Sequence, residues 1–208
     1  MKPSKKPGTG AAQKIPQPDA KSALLVTDIQ NDFCPGGALA VPGGDAIIPL
    51  VNRYIQLFHQ KGCHVIASRD WHPPGHRSFK EQGGPWPIHC TQGSRGAQFH
   101  PALVLPVGCL IISKATDPTK EAYSAFEGTP LEEQLRDCGI ETLYITGIAI
   151  DYCIKNTVLD ACRLGFRVVV LEDAILGIDA APGDCKRAIE AMKKAGAVFA
   201  NAKDLGLC

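Results

Sequence analysis

Residues 141–174 read ETLYITGIAIDYCIKNTVLDACRLGFRVVVLEDA, and their pattern is the clearest indication of the fold. An apolar run (141–149) is followed by a helical pattern (Asp151 to Leu164), by Gly165 and by a second apolar run (166–174). Near-continuous hydrophobicity is typical of strands that are covered on both faces, as in a parallel sheet. A glycine after a helical pattern supplies the left-handed residue that ends a helix. The stretch therefore predicts a strand, a helix and a second, parallel strand.

The same unit recurs outside this stretch. Further apolar runs occupy residues 23–29, 64–70, 109–115 and 197–201. Further helical patterns cover Asp45 to Lys61, Pro130 to Cys138 and Asp184 to Ala195, and they stop at Gly62, Gly139 and Gly196. Alternating strands and helices with short joints indicate right-handed βαβ units. We predict an α/β three-layer sandwich, in which a mostly parallel six-stranded sheet of Rossmann-like topology has helices on both faces.

Composition limits the classes of protein to consider. The chain has 208 residues, 45% of them hydrophobic, which is enough for one sizeable core. Its formal charge of +1 gives no electrostatic reason to expect a nucleic acid or membrane partner. Nine cysteines without a CxxC pair or a secretory signal indicate a reducing, cytoplasmic compartment. The sequence allows a homo-oligomer without requiring one.

The first 21 residues differ from the rest. The segment MKPSKKPGTGAAQKIPQPDAK is rich in Pro, Gly and Lys and has no apolar run. We predict a disordered basic tail over residues 1–21 and a single domain over residues 22–208. A second unusual segment, residues 71–108, is too long and too rich in Pro and Gly for an ordinary connection, so it indicates a functional loop.

Reactive side chains follow four predicted strands. Asp28, Asp70 and Lys114 come at the ends of the first three runs, and Cys153 follows the fourth. Ligands of parallel α/β sheets bind outside these carboxyl ends. If Asp151 is an N-cap, Cys153 lies in the first helical turn, where unpaired N–H groups favour a thiolate and can stabilise an oxyanion. A lysine between a carboxylate and a thiol favours both anions, so a nucleophilic cysteine with Asp28 as its base is chemically coherent. A buried packing cysteine is the alternative.

A second group of residues has the donors of a metal site. Asp70 and His72 stand two residues apart, and His89 or His76 could complete the set. Such oxygen and nitrogen donors suit zinc, iron or manganese. The alternative is that the histidines order a proline-rich loop. The nearby CPGGALAVPGG (34–44) fits no phosphate-binding pattern and indicates a loop beside a substrate, with an apolar wall from Phe33, Leu39 and Trp86.

Five motifs carry a resemblance that covers the chain from about Ser22 onward. They are, in order, TDIQNDFCPGGALAVPGG, SRDWHPPGHRSF, WPIHCTQGSRGAQFH, SKATDP and TGIAIDYCIKNTVLDA. Together they resemble the nicotinamidases (pyrazinamidases) of the isochorismatase-like cysteine hydrolase superfamily. The resemblance implies an amidase that converts nicotinamide to nicotinic acid and ammonia through a thioester, in NAD salvage, with pyrazinamide-like amides as side substrates.

The resemblance also implies residue roles. Asp28, Lys114 and Cys153 would be the catalytic triad, with Asp28 as the proton shuttle. Asp70, His72 and His89 would bind one divalent metal ion, zinc first among the candidates, and His76 could be a further ligand.

The same resemblance assigns residues to the substrate pocket. Ala149 and Cys153 would form the oxyanion hole, after a cis peptide bond between Ile148 and Ala149. Phe33 and Trp86 would pack against the substrate ring. We also expect Leu39, Tyr123 and Tyr152 to line this pocket, although Tyr152 stands at a position that varies within the family.

Two rival functions stay open. The first is another small-amide or N-carbamoyl amidohydrolase of the same superfamily. The second, from a different class, is a non-catalytic metal-binding protein on the same fold. An intact set of Asp28, Lys114 and Cys153 argues against the second, and ammonia release from a panel of amides separates all three.

Overall fold

A computed structural model describes residues 15–207 and shows one sheet of six strands in the order β3-β2-β1-β4-β5-β6. All five pairs of neighbouring strands are parallel. The predicted α/β fold class is therefore confirmed. The strands are β1 (Ser22–Thr27), β2 (His64–Asp70), β3 (Leu110–Lys114), β4 (Thr142–Ile148), β5 (Arg167–Leu176) and β6 (Val198–Ala200).

The four α-helices of the described chain lie within the four predicted stretches. They are α1 (Ile48–Gln60), α2 (Leu131–Asp137), α3 (Lys155–Arg163) and α4 (Asp184–Lys194). The glycine that follows each helix has a positive φ, between 66° after α2 and 104° after α4, as a left-handed helix end requires. One turn of π-helix (Ile150–Ile154) precedes α3, and 3-10 turns occur at Asn31–Phe33, Lys80–Gln82 and Ala202–Leu205.

Strand β1 shows why the apolar runs are continuous. Leu24 and Val26 belong to a core cluster on one face of the sheet, which includes Tyr54 and Phe58 of α1. Ala23 and Leu25 belong to a second cluster on the other face, to which α2, α3 and α4 contribute. Because successive side chains of a strand point to opposite faces, a strand buried on both sides must be apolar at every position.

The predicted disordered tail is only partly addressed by the structure. Residues 1–14 and Cys208 lie outside the described residues. For residues 15–21 the prediction is wrong, because this stretch is attached to the sheet: the Tyr144 hydroxyl donates to the Pro16 carbonyl (2.7 Å), and the Lys21 carbonyl accepts from the N–H of Thr142 (3.1 Å). Composition alone could not show these contacts, since backbone carbonyls make them.

The long segment between β2 and β3 folds over the carboxyl edge of the sheet. Short parallel bridges join His72 to Thr91 and Phe79 to Trp86, and an antiparallel bridge joins Gln30 to Phe99. This segment brings the histidines of the sequence motifs over the ends of β1 and β2. Within residues 15–207, no helix has the length and apolar character needed to cross a membrane.

Candidate active site

Lys114 is the centre of a buried ionic cluster at the carboxyl edge of the sheet. It ends β3 and is the direct register partner of Asp70, which ends β2. Its Nζ atom lies 3.0 Å from Asp28 Oδ2, forms an ion pair with Asp70 Oδ1, and lies 3.4 Å from Cys153 Sγ. The structure thus brings together the three residues that the sequence suggested as a triad, and adds Asp70 to them.

Asp28 is held in place from the neighbouring strand. Its backbone has φ = 51°, and its N–H donates to the Ser68 carbonyl (3.1 Å). The Ser68 hydroxyl donates to Asp28 Oδ1 at 2.7 Å, which leaves Oδ2 directed at the ammonium group of Lys114. The carboxylate is therefore fixed by Ser68 on one side and faces the ammonium group of Lys114 on the other.

Cys153 reaches the cluster through the turn after β4. Gly147 approaches the backbone of Thr27 so closely that a Cβ would overlap with it, and the Ile148–Ala149 peptide bond is cis, as the family resemblance implied. The prediction that Asp151 is an N-cap is wrong. Its carboxylate accepts the N–H groups of Ile178 (3.1 Å) and Asp179 (2.9 Å), in the loop after β5.

Burial sets the resting protonation of the triad. It raises the pKa of the Cys153 thiol well above its ordinary value, and the carboxylates of Asp28 and Asp70 act in the same direction. Burial also raises the pKa of the Asp28 carboxyl against the attraction of Lys114. Burial would lower the pKa of Lys114, but Asp28 and Asp70 outweigh it and raise that pKa well above its ordinary value. The resting cysteine is therefore a thiol, in contrast to the thiolate expected from a helix start.

Asp70, His72 and His89 form a donor set beside the triad. Their ligand atoms lie within 4.8 Å of one another, with Asp70 Oδ2 3.6 Å from His72 Nε2 and 3.9 Å from His89 Nε2. Lys114 and His72 outweigh burial and hold the pKa of the Asp70 carboxyl below its usual range. Burial lowers the pKa of His89, and its Nδ1 bonds to the Pro87 carbonyl, so Nε2 keeps a free lone pair.

His72 gives a direct test of whether these residues fit a metal ion. The residue is 1% exposed, yet neither ring nitrogen has a hydrogen-bond partner among residues 15–207. Buried polar atoms are normally paired, so an orphaned imidazole beside an ionised carboxylate needs an explanation. A divalent cation bound by one oxygen and two nitrogens would give one of these ring nitrogens a partner and would balance the carboxylate.

His76 does not share that property. Its Nδ1 bonds to the Ser78 hydroxyl (2.7 Å) and its Nε2 to the Lys120 carbonyl (2.8 Å). Although ligand atoms of His72, His76 and Glu121 lie within 4.8 Å of one another, the ring of His76 is engaged on both sides. The expectation that His76 could be a further ligand is therefore corrected: this side chain holds the loop that carries His72.

A cavity opens beside Cys153 and the donor set. It is lined by all five predicted wall residues, namely Phe33, Leu39, Trp86, Tyr123 and Tyr152, and by the two predicted oxyanion-hole residues, Ala149 and Cys153. The Trp86 Nε1–H donates to the Tyr123 hydroxyl (2.9 Å), and the ring of Tyr152 packs edge-on against Trp86 at 5.0 Å. The cavity therefore has an aromatic wall and an ionic floor.

Sequence reasoning missed four lining residues: Val41, Glu121, Ile148 and Ile178. Ile178 had a usable signal, since it follows the carboxyl end of β5 at the same edge as the triad. Glu121 precedes Tyr123 in the segment EAYSAF, but no spacing rule points to it.

Fold and site together define a hydrolytic enzyme of the α/β class, with a buried cysteine next to a metal-binding donor set. The chain belongs to the isochorismatase family, because residues 22–204 match the model of the isochorismatase domain. Over 198 residues it is 42% identical to a nicotinamidase of Escherichia coli, covering 85% of this chain and 93% of the relative.

Solved structures show the same likeness. A pyrazinamidase of Pyrococcus horikoshii in complex with zinc is 52% identical, with a TM-score of 0.84 over 87% of this chain and 99% of the other. PnC1 from L. infantum, in complex with nicotinate, is 32% identical with a TM-score of 0.82, covering 90% of this chain and 96% of the other. Both the fold and the length of the domain are thus shared with these proteins.

Proposed function

We propose that the protein hydrolyses the carboxamide of nicotinamide to nicotinic acid and ammonia, as a step of NAD salvage. The observation that carries the proposal is the position of Cys153 Sγ, 3.4 Å from Lys114 Nζ and within 4.8 Å of an Asp28 carboxylate oxygen, at the floor of the cavity. The named relatives, which include nicotinamidases and a structure with bound nicotinate, support this choice of substrate.

In the first half of the reaction, the Cys153 thiol transfers its proton to Asp28 as Sγ attacks the amide carbon. The raised pKa of Asp28, caused by burial, suits a group that must accept and return a proton. Collapse of the tetrahedral intermediate breaks the C–N bond. Asp28 then delivers its proton to the leaving nitrogen, so ammonia departs and a thioester remains.

In the second half, Asp28 removes a proton from a water molecule that attacks the thioester carbon. The C–S bond breaks, nicotinic acid leaves, and the sulfur takes back the proton. Lys114 keeps its charge throughout, because two carboxylates raise its pKa, and its ammonium group balances the negative charge that moves between sulfur and Asp28.

Two main-chain N–H groups, of Ala149 and Cys153, are proposed to stabilise the oxyanion of both tetrahedral intermediates. Both residues line the cavity on the side of the thiol. A donor of this kind contributes about 3 kcal/mol to transition-state stabilisation.

We assign Asp70, His72 and His89 as the ligands of one Zn²⁺ ion, while iron or manganese would also accept these donors. When bound, the ion would supply a Lewis acid for the ring nitrogen of the substrate. The aromatic wall of Trp86 and Tyr123 would hold the flat face of the same ring. The substrate is neutral, in keeping with a wall that is aromatic rather than charged.

An ammonia-release assay on four amides tests the proposal. Nicotinamide and pyrazinamide carry a ring nitrogen, benzamide has the same shape without it, and an N-carbamoyl amino acid represents the rival class of amidohydrolase. We expect nicotinamide to give the highest kcat/KM and benzamide to be a poor substrate. Preference for the N-carbamoyl compound would favour the rival function, and no ammonia from any amide would favour a non-catalytic protein.

A further inference from the structure

The segment that follows β1 contains a buried side-chain amide, that of Gln30, which forms hydrogen bonds to the main chain at the end of β2. Gln30 is 0% exposed. Its Oε1 accepts the N–H of Asp70 (2.7 Å), and its Nε2 donates to the carbonyl of Asp70 (2.8 Å) and to that of Ala97 (2.9 Å). Both amide protons and the oxygen are thus in use, and two of the three bonds go to the backbone of Asp70, the one residue shared by the ionic cluster and the donor set.

This pairing acts like an added piece of strand. Strand β2 ends at Asp70, whereas its ladder to β1 already ends at the pair Thr27 and Ser68. The side chain of Gln30 supplies both a donor and an acceptor to the main chain at that point, so it fixes the peptide groups on either side of the Asp70 Cα. The direction of the Asp70 carboxylate follows from that backbone.

Two residues further on, the side chain of Asp32 bonds in a similar way to the main chain of the segment that carries His89. Its Oδ2 accepts the N–H of Cys90 (2.7 Å), the residue directly after His89. Its Oδ1 accepts the N–H of Ala38 (3.2 Å), directly before the wall residue Leu39. Gly96 lies flat against this carboxylate, since a Cβ there would overlap with the side chain of Asp32. The carboxylate therefore has little room to move.

We propose that Gln30 and Asp32 are positioning residues for the metal ion, through Asp70 and through the segment of His89, respectively. Neither side chain lines the cavity beside Cys153. The inference rests on the metal site of the proposed function. Outer groups of this kind orient the ligands of an ion, and their loss weakens metal binding about 10–100-fold.

The test measures the affinity of the metal-free protein for Zn²⁺ alone, by competition with a chromogenic chelator and without substrate. Gln30→Met has a similar length and lacks all three hydrogen bonds. Asp32→Asn keeps the shape of the side chain but can accept only one of its two N–H donors. We expect both variants to bind Zn²⁺ about 10–100-fold more weakly than the unaltered chain.

Asn31→Ala is the matched control, because Asn31 lies between the two residues and bonds to the same loop. Its Nδ2 donates to the Arg95 carbonyl (2.8 Å), well away from His89 in sequence. We expect its Zn²⁺ affinity to change by less than about threefold, since no ligand segment loses a partner.

The folded fraction of each metal-free variant, measured by near-ultraviolet circular dichroism, distinguishes a loss of fold stability from a change in ligand position. Partial unfolding weakens apparent binding only in proportion to the folded fraction, so a variant that is mostly folded keeps its affinity unless the ligands have moved. The Co²⁺-loaded variants should also show altered d–d absorption, which reports ligand geometry.

Three results would overturn the inference. Unchanged Zn²⁺ affinity in Gln30→Met and Asp32→Asn would show that the ligands are set by other contacts. An equal loss of Zn²⁺ affinity in Asn31→Ala, or a loss fully explained by the folded fraction, would show that Gln30 and Asp32 only contribute to the general stability of the fold. Failure of the unaltered chain to bind Zn²⁺ would remove the metal site itself. Ammonia release is not measured here, so the amidase activity stands or falls separately.

Discussion

The two oxygens of the Asp70 carboxylate face different surroundings: one faces charged side chains that pair with each other, and the other faces two imidazole rings. On one side, Oδ1 of Asp70 belongs to an ionic cluster in which Lys114 also contacts Asp28 and Cys153, so each charged group contacts a group of opposite charge. On the other side, Oδ2 faces two imidazoles, and His72 has no hydrogen-bond partner at either ring nitrogen among the described residues. Both sides are buried to a similar degree.

The difference shows which part of the site the polypeptide completes by itself. A buried ion cluster is tolerable only when each charge has a partner, and the Lys114 side satisfies that condition within the chain. The histidine side leaves polar atoms unsatisfied at a cost, which a bound cation would reduce by bonding one nitrogen of the His72 ring. We therefore expect mutations on the Lys114 side to act on chemistry and on metal-free stability, and mutations on the histidine side to act through metal binding.

Loss of the nucleophile should affect catalysis far more than metal binding. Cys153→Ala removes the attacking atom, so turnover of nicotinamide should fall on the order of 10⁴-fold or more, while Zn²⁺ affinity stays close to that of the unaltered chain. Ammonia release and chelator competition measure the two properties. Cys63→Ala, a buried cysteine at the opposite end of the sheet, is the control. Ammonia release near the normal rate in Cys153→Ala would rule out the nucleophile assignment.

The second effect concerns stability on the Lys114 side. Lys114→Met fits the space but leaves two buried carboxylates without their counter-ion, so the metal-free protein should lose about 3–5 kcal/mol of unfolding free energy. Urea unfolding of the metal-free protein gives this value. If the variant is as stable as the unaltered chain, Lys114 does not stabilise the two buried carboxylates in the metal-free protein. The Lys114 side would then not differ from the histidine side in this respect.

The third effect is the counterpart on the histidine side. His72 packs against the ring of Phe79 at 5.4 Å and has no protein hydrogen bond to lose, so His72→Phe should change metal-free stability by less than about 1 kcal/mol. The stabilisation that Zn²⁺ gives at 100 times its dissociation constant, about 2.7 kcal/mol, should disappear. Urea unfolding with and without Zn²⁺ measures both quantities. Retained stabilisation by Zn²⁺ would exclude His72 as a ligand.

The sequence predicted the parts of this architecture that are locally encoded. The apolar runs identified the strands because both faces of the sheet are covered, and the terminal glycines identified the helix ends. The position of reactive residues at strand ends predicted their common edge. It could not predict that Lys114 of β3 reaches across the end of β2 to Asp28, because that depends on the order of the strands.

The errors have a common physical cause. A capping rule is local, whereas Asp151 bonds to a loop 27 and 28 residues later in the chain. Composition suggested a disordered start, whereas residues 15–21 are attached to β4 through their carbonyl groups. His76 has the spacing of a ligand, but its ring nitrogens are bonded to Ser78 and to the main chain. In each case a non-local hydrogen bond overrides the local signal.

The smallest expected effect lies in the aromatic wall, which belongs to neither side of Asp70. Tyr123→Phe removes the acceptor of the Trp86 N–H (2.9 Å) and leaves both rings in place, a loss of about 1 kcal/mol. In the proposed complex the wall contacts a substrate ring that does not change during the reaction, so binding of the ground state and of the transition state should weaken equally. KM for nicotinamide should then rise about fivefold at constant kcat. Trp86→Phe, which removes the same bond and part of the ring, should raise KM at least as much. A fall in kcat in Tyr123→Phe would instead place this hydroxyl in the proton transfers, and the chemistry would no longer be confined to the Lys114 side.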